Sequence, residues 1–120
     1  MGDSRTYAII GAAMKVHSEL GSGFTEYVYQ DALSIEFDLD NIPFEKEKHL
    51  VVSYKGVPLN HDYFADFVCY DSVIVECKAV KSLAPEHEAQ LLHYMKATNM
   101  SVGLLINFGE KSLVYRRYVL

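Results

Sequence analysis

Three residues with acidic or basic side chains lie close together in the middle of the sequence. Asp66 lies in one apolar segment, and Glu76 and Lys78 lie in the next, with a short turn between the two segments. Side chains of a strand alternate between the faces of a sheet, so Glu76 and Lys78 point the same way, roughly 7 Å apart. If the segments pair as a hairpin, their register can bring Asp66 and Glu76 side by side.

Such a pair of carboxylates is suited to binding a metal ion. The two groups repel each other, and each raises the pKa of the other unless a cation compensates. A hard divalent cation prefers oxygen ligands of this kind, and Mg²⁺ keeps several waters that can face a phosphate. Lys78 could then orient or deprotonate an attacking water, or stabilise developing negative charge. The three residues form a minimal set for metal-assisted phosphodiester hydrolysis.

The same pattern also has a structural explanation. An Asp followed by Glu-x-Lys on a neighbouring strand is a common surface feature, and alone it is weak evidence for a site. Here the flanking residues 74–80 are otherwise apolar, so Glu76 and Lys78 interrupt a strand that should be buried. Buried charges are costly unless they are paired or bound to metal. A structural ion pair between Glu76 and Lys78 is the alternative.

Further candidates lie on predicted helices. Gln90 and Tyr94 share a helix face with His87, so they could hold a lysine, a water or a phosphate in place. For Tyr94 the alternative is a half-buried packing role, and for His87 we favour a solvated residue of the first helical turn. Glu26 either complements a helix dipole or supplies a third carboxylate to the metal. His17 fits a core histidine that donates to a carbonyl.

The periodicity of the sequence predicts the elements that must position these residues. The predicted helices cover residues 6–20, 25–40 and 86–98, and the predicted strands cover residues 50–54, 63–69, 73–79, 102–107 and 113–119. Residues 43–47 are expected to be a connector and residues 55–58 a turn. The short turn at 70–72 makes the second and third strands an antiparallel hairpin.

A helix joins the third and fourth predicted strands, which favours a right-handed crossover between parallel strands. The apolar fourth strand, 102–107, should be central and covered on both faces. The element order is therefore ααβββαββ, an α/β fold with a mixed sheet flanked by helices.

Composition limits the classes of protein to consider. The 120 residues fit one domain, and the apolar half of the chain excludes disorder. No apolar run approaches the roughly 18 residues of a membrane span, and no secretory signal is visible, so we expect a cytoplasmic protein. The net charge of −5 argues against a binder driven by charge alone. Cys69 and Cys77 are expected to be free, buried thiols, although a disulfide stays open.

Five segments resemble, in order and spacing, the GxxExxY protein family. They are residues 23–29 (GFTEYVY), 63–68 (YFADFV), 74–79 (IVECKA), 87–98 (HEAQLLHYMKAT) and 103–109 (GLLINFG). The resemblance covers nearly the whole chain. That family is assigned to the PD-(D/E)XK nuclease-like superfamily, so the resemblance implies a single restriction-endonuclease-like domain over residues 1–120.

The resemblance also implies roles for individual residues. Asp66 resembles the metal-binding Asp of the superfamily, and Glu76 and Lys78 resemble its E-x-K pair. Gln90 and Tyr94 resemble the Q-x-x-x-Y motif of its exonuclease-type branch. These residues would be the catalytic set, together with a glutamate of the N-terminal helical region.

That glutamate is Glu26, which would complete a metal-binding set with Asp66 and Glu76. One position departs from the family pattern, because many members carry a basic residue where this chain has Phe64. By strand alternation Phe64 should share the face of Asp66, so one positive group near the site would be missing, which weakens a phosphate clamp without changing the metal ligands.

Two hypotheses follow. The first is a Mg²⁺- or Mn²⁺-dependent nuclease that cleaves DNA or RNA, and a homodimer is plausible because so small a domain offers a short nucleic-acid footprint. The second is an accessory module that keeps the fold and binds nucleic acid or protein without cleavage. A purely structural α/β protein would require the carboxylate cluster to be a coincidence.

Overall fold

The computed structural model describes residues 3–120, which form three helices and one five-stranded sheet. The helices are α1 (Ser4–Leu20), α2 (Glu26–Leu39) and α3 (Pro85–Ala97). The strands are β1 (Phe44–Tyr54), β2 (Val57–Cys69), β3 (Val73–Lys78), β4 (Val102–Asn107) and β5 (Val114–Val119). This is the α/β arrangement of a restriction-endonuclease-like core, in the predicted order. None of the described helices combines the length and the apolar character needed to cross a membrane.

The sheet has the strand order β1-β2-β3-β4-β5. Strand β2 pairs antiparallel with β3 through the predicted hairpin, and β3 pairs parallel with β4 through the helical crossover. The turn of the hairpin has positive φ at both Tyr70 and Asp71, which matches the twist of the strands it joins. Strand β4 is an interior strand, and all six of its residues are buried, as its apolar sequence predicted.

Helices cover both faces of the sheet. On the face covered by α1 and α2, called here the two-helix face, Phe37 packs edge-on against Phe67, with ring centroids 5.2 Å apart. On the face covered by α3, called the α3 face, Leu91 and Met95 pack against the sheet. Gly103 allows this close approach, because a Cβ there would lie 2.5 Å from Met95 Sδ.

Both cysteines are free and buried, as predicted. Cys69 and Cys77 pack on the two-helix face among apolar side chains. Burial raises the pKa of the Cys69 thiol to about 12, so this side chain stays protonated and behaves as a small hydrophobic group.

The first hairpin is much longer than predicted. Strand β1 includes residues 44–47, which were expected to form a connector, and the turn is only Lys55 and Gly56, both with positive φ. Strand β1 lies at an edge of the sheet, and its first half alternates half-buried and exposed residues. Charged side chains are typical of edge strands. Because residues 44–47 are mostly charged, the apolar pattern of the sequence did not predict a strand there.

Regular alternation breaks at Asp66. Ala65 packs on the α3 face, whereas Phe67 packs on the two-helix face. Opposite Asp66 in the register, Glu47 has a φ of 53° and interrupts the pairing of β1 with β2. Phe64 is exposed and lies beside the His49 ring, with 5.0 Å between the centroids. The expectation that Phe64 shares the face of Asp66 stays a prediction.

Candidate active site

Asp66 and Glu76 lie next to each other where β2 and β3 stop pairing. The last pair of that ladder is Phe67 with Val75, and the next positions along it are Asp66 and Glu76. The Asp66 backbone N–H donates to Glu76 Oε2 at 3.3 Å, and the Cys77 backbone N–H donates to Asp66 Oδ2 at 2.8 Å. Side chains therefore take the place of the strand-to-strand bonds, and both carboxylates are held on strands at the point where the pairing of β2 with β3 stops.

The Glu76 carboxylate is largely removed from solvent. Its Oε1 accepts a hydrogen bond from the Tyr63 hydroxyl, and the Tyr63 ring stacks on Tyr94 with a 2° interplanar angle. Burial raises the pKa of Glu76 above its ordinary value of 4.5, and the neighbouring Asp66 charge adds to the shift. The same burial and the Glu76 charge raise the pKa of Tyr63, so Tyr63 remains the proton donor of this pair.

Lys78 ends β3 at the same end of the sheet. Its carbonyl oxygen accepts from the Phe108 N–H at 2.8 Å. Within residues 3–120, no carboxylate lies within 4 Å of the Lys78 amine, so the alternative of a structural ion pair with Glu76 does not apply. The Lys78 residue is half-buried.

The backbone that follows Lys78 is clamped by a buried amide. Asn107 has no exposed surface, its Oδ1 accepts from the Val80 N–H at 3.0 Å, and its Nδ2 donates to the Val80 carbonyl at 2.9 Å. Gly109 lies so close that an added Cβ would be 2.3 Å from the Val80 oxygen. This contact, rather than strand pairing, fixes the chain just beyond the lysine.

Glu26 is the first residue of α2 and lies near the charges of Asp66 and Lys78. Thr25 precedes the helix as predicted, but its side chain makes no capping hydrogen bond. Burial and the Asp66 charge raise the pKa of Glu26, while the Lys78 charge opposes them. Gln30 Nε2 donates to Glu26 Oε1 at 3.4 Å, one helical turn along. Glu26 therefore lies within electrostatic range of both Asp66 and Lys78.

Tyr29 fixes the beginning of α2 relative to the sheet. Its hydroxyl donates to the Gly21 carbonyl, and its ring stacks on Phe108 with centroids 4.7 Å apart. Nearby, His17 Nε2 lies 2.8 Å from the Glu110 carbonyl oxygen, which can only accept, so this nitrogen is the donor. The interpretation of His17 as a core histidine that donates to a carbonyl is confirmed.

Of the three candidate residues on α3, Tyr94 and His87 are half-buried and Gln90 is exposed. Tyr94 is half-buried against Tyr63, but Gln90 is exposed and lies outside the Tyr63–Glu76 contact. His87 caps the helix, since its Nδ1 accepts from the Ala84 N–H at 3.0 Å. The expectation of a merely solvated His87 is therefore wrong, because this side chain is half-buried and bonded to backbone.

Sequence reasoning missed two residues of this region. Tyr63 lies three positions before Asp66, and an aromatic residue in a strand gives no hint of a carboxylate partner. Asn107 gave a usable signal, because it is the polar end of the otherwise apolar segment 102–107. A buried amide must have partners, and their identity depends on contacts far apart in the sequence.

Asp66 and Glu76 are the candidate ligands for a divalent cation. Asp66 and Glu76 supply adjacent carboxylate oxygens of the type that Mg²⁺ and Mn²⁺ prefer, so the pair fits such an ion. Within residues 3–120, however, no group of three or more acidic, histidine or cysteine side chains is arranged to hold a metal. Glu26 as a third ligand would require its side chain to turn towards the pair.

Comparison with known proteins gives a family match. A family model described as the PD-(D/E)XK nuclease superfamily matches residues 3–118. No curated protein and no solved structure matches the chain significantly. The match includes all of α1 to β4 and all but the last residue of β5.

Proposed function

We propose that this chain, which belongs to the PD-(D/E)XK nuclease superfamily, is a divalent-metal-dependent phosphodiesterase that cleaves DNA or RNA. The observation that carries the proposal is the pair formed by Asp66 and Glu76. Two carboxylates lie side by side in a buried setting that raises the pKa of Glu76, and Lys78 forms no ion pair with either. A divalent cation would remove this electrostatic cost.

The residues divide into three roles under this proposal. Asp66 and Glu76 would hold Mg²⁺ or Mn²⁺, with Glu26 turning in as a third ligand. When bound, the ion would supply positive charge to the phosphate oxygens in the transition state. Lys78 would orient the attacking water or stabilise the developing charge, because its amine lies on the same strand two residues from Glu76.

The remaining residues would act through these groups. The Tyr63 hydroxyl donates to Glu76 and so fixes the direction of its free lone pairs. Tyr94 holds the Tyr63 ring by stacking. Gln90 is exposed on α3 and would contact the substrate or Lys78 only after its side chain turns towards them.

The test separates metal binding from cleavage. Calorimetric titration with Mn²⁺ and Mg²⁺ should give binding to the wild type, and DNA and RNA substrates should be cleaved only with metal. Lys78→Ala should lower cleavage at least about 100-fold and leave metal affinity within about twofold, since Lys78 is not a ligand. Lys81→Ala, which removes a nearby exposed lysine, is the matched control. A fully active Lys78→Ala variant contradicts the mechanism.

A second candidate is an accessory module that binds nucleic acid or protein without cleavage. It is favoured by the net charge of −5 and by the separation of Glu26 from the other two carboxylates. The same titration decides between the candidates. A wild-type chain that binds neither ion, with Asp66 and Glu76 intact, would support the accessory module.

A further inference from the structure

We propose that a cavity beside the candidate active site binds the nucleotide next to the cleaved phosphodiester, with Arg116 pairing with its phosphate. The inference rests on the proposed function and names part of the substrate's binding site. The cavity has a volume of about 280 Å³ and lies between α3 and strands β4 and β5. Its apolar lining includes Leu83, Pro85, Leu92 and Leu105, and its charged lining is Glu88 and Arg116.

The register of the sheet places this cavity in line with the carboxylates. Glu76 on β3 pairs with Leu105 on β4, and Leu105 pairs with Arg116 on β5. Paired residues of neighbouring strands point to the same face, so these three side chains form a row across the α3 face. Arg116 is two strands from Glu76, or roughly 10 Å across the sheet. Leu105, which lines the cavity, lies between them.

The lining suits a nucleotide. Apolar side chains can contact the face of a base or a sugar, and an arginine at the rim can pair with a phosphate through two parallel hydrogen bonds. This arginine also supplies the positive group that the sequence leaves missing at Phe64. It does so from the opposite side of the carboxylates, on β5 instead of β2.

Glu88 opposes an anion in the cavity and must be displaced. Its Oε2 lies 3.8 Å from Arg116 Nη1, and both side chains are about half exposed. Exposed ion pairs of this kind contribute little to stability, so a phosphate can replace Glu88 at little cost. Without a ligand, the pair keeps the guanidinium over the cavity.

A hydroxyl without a hydrogen bond lies beside the same Glu88 and Arg116. The Tyr118 hydroxyl oxygen is buried, yet it makes no hydrogen bond to any residue of 3–120. Tyr118 pairs with Gly103 in the row next to Arg116, and burial together with the adjacent Glu88 carboxylate raises the pKa of the phenol. Glu88 and Arg116 are therefore the polar groups beside this hydroxyl, although neither forms a hydrogen bond of good geometry with it. Buried polar groups almost always have a partner. A phosphate or sugar oxygen in the neighbouring cavity would provide one.

The neighbouring arginine offers a matched control. Arg117 follows Arg116 on β5 and therefore points to the other face, where it lines a separate cavity with Tyr7 and Ile10. Arg116→Gln and Arg117→Gln remove the same charge from adjacent positions. General attraction of a polyanion would respond to both substitutions equally, whereas the proposed site responds to Arg116 alone.

The experiment measures binding directly. A fluorescent single-stranded oligonucleotide is titrated in Mn²⁺ against the Lys78→Ala protein, so that cleavage does not interfere, at several salt concentrations. Arg116→Gln should weaken binding about tenfold and reduce the slope of log K against log salt by about 0.7. Arg117→Gln should change affinity less than about twofold. Glu88→Gln should tighten binding by about threefold, because it removes the competing carboxylate.

A second variant tests the cavity itself without a change of charge. Ala89 lies on its wall and is exposed, so Ala89→Leu should fit the helix while filling the mouth, and binding should weaken about fivefold. Equal effects of the two arginine substitutions, an unaffected Arg116→Gln or no oligonucleotide binding would overturn the proposal. If binding depends on Arg116 but the wild type cleaves no nucleic acid, the binding site stands and the proposed nuclease activity fails.

Discussion

The Glu76 carboxylate is buried beside Tyr63 and Asp66, and its proton equilibrium is therefore coupled to folding. Burial and the Asp66 charge raise its pKa in the folded protein, while in the unfolded chain it titrates near 4.5. Between these two values the unfolded chain has lost a proton that the folded chain keeps. The free energy of unfolding of the metal-free protein therefore falls as pH rises through this window.

Glu76→Gln should remove this pH dependence. In EDTA at pH 7, the variant should unfold at a temperature at least about 4 °C above that of the wild type, which corresponds to ~1 kcal/mol. Near pH 4 the two melting temperatures should approach each other, because the wild-type carboxyl is then neutral in both states. Thermal unfolding followed by circular dichroism measures both. Glu19→Gln, at an exposed position of α1, is the control, and an equal difference at both pH values would contradict the coupling.

The helices and the central strands could be predicted from the sequence, because patterns within short segments determine them. The α3 crossover, the β2–β3 hairpin and the buried β4 each follow from apolar periodicity and short turns. The neighbouring positions of Asp66 and Glu76 also follow, because a short turn of three residues sets the hairpin register.

The rest depends on contacts between distant parts of the chain. Glu47 has a positive φ although it is not a glycine. The sequence therefore could not predict the break in alternation at Asp66. The stacking of Tyr63 on Tyr94 joins β2 to α3, and the bond from Tyr63 to Glu76 spans 13 residues. Neither contact leaves a period or a turn motif in the sequence.

Asn107→Ala tests the clamp at the end of β4. The substitution leaves the Val80 N–H and carbonyl and the Gly109 N–H without their side-chain partner. Each orphaned buried group costs about 1–3 kcal/mol, so the free energy of unfolding should fall by about 3 kcal/mol. Urea denaturation measures this loss. Asn60→Ala, at an exposed position of β2, should cost less than about 0.5 kcal/mol. Similar losses in both variants would mean that the clamp contributes little.

At the scale of the whole molecule, the charge of −5 and the candidate site are connected. Glu26, Asp66 and Glu76 account for three of the 16 acidic residues. One bound divalent cation changes the net charge from −5 to −3, which is still negative. Non-specific attraction of a polyanion should therefore be weak, and binding should depend on the metal and on local groups such as Arg116.

Under the proposed function, metal binding should stabilise the whole fold, because the two strands that carry the proposed ligands converge only in the folded chain. At a free Mn²⁺ concentration 100 times the dissociation constant, mass action adds about 2.7 kcal/mol to the free energy of unfolding. The melting temperature should rise by about 10 °C in a domain of this size, and EDTA should reverse the rise. Asp66→Asn should abolish it, because the variant loses one of two adjacent ligands. An equal rise in Asp66→Asn would place the ion elsewhere on the acidic surface, and the carboxylate pair would then be an electrostatic cost without a cation to relieve it.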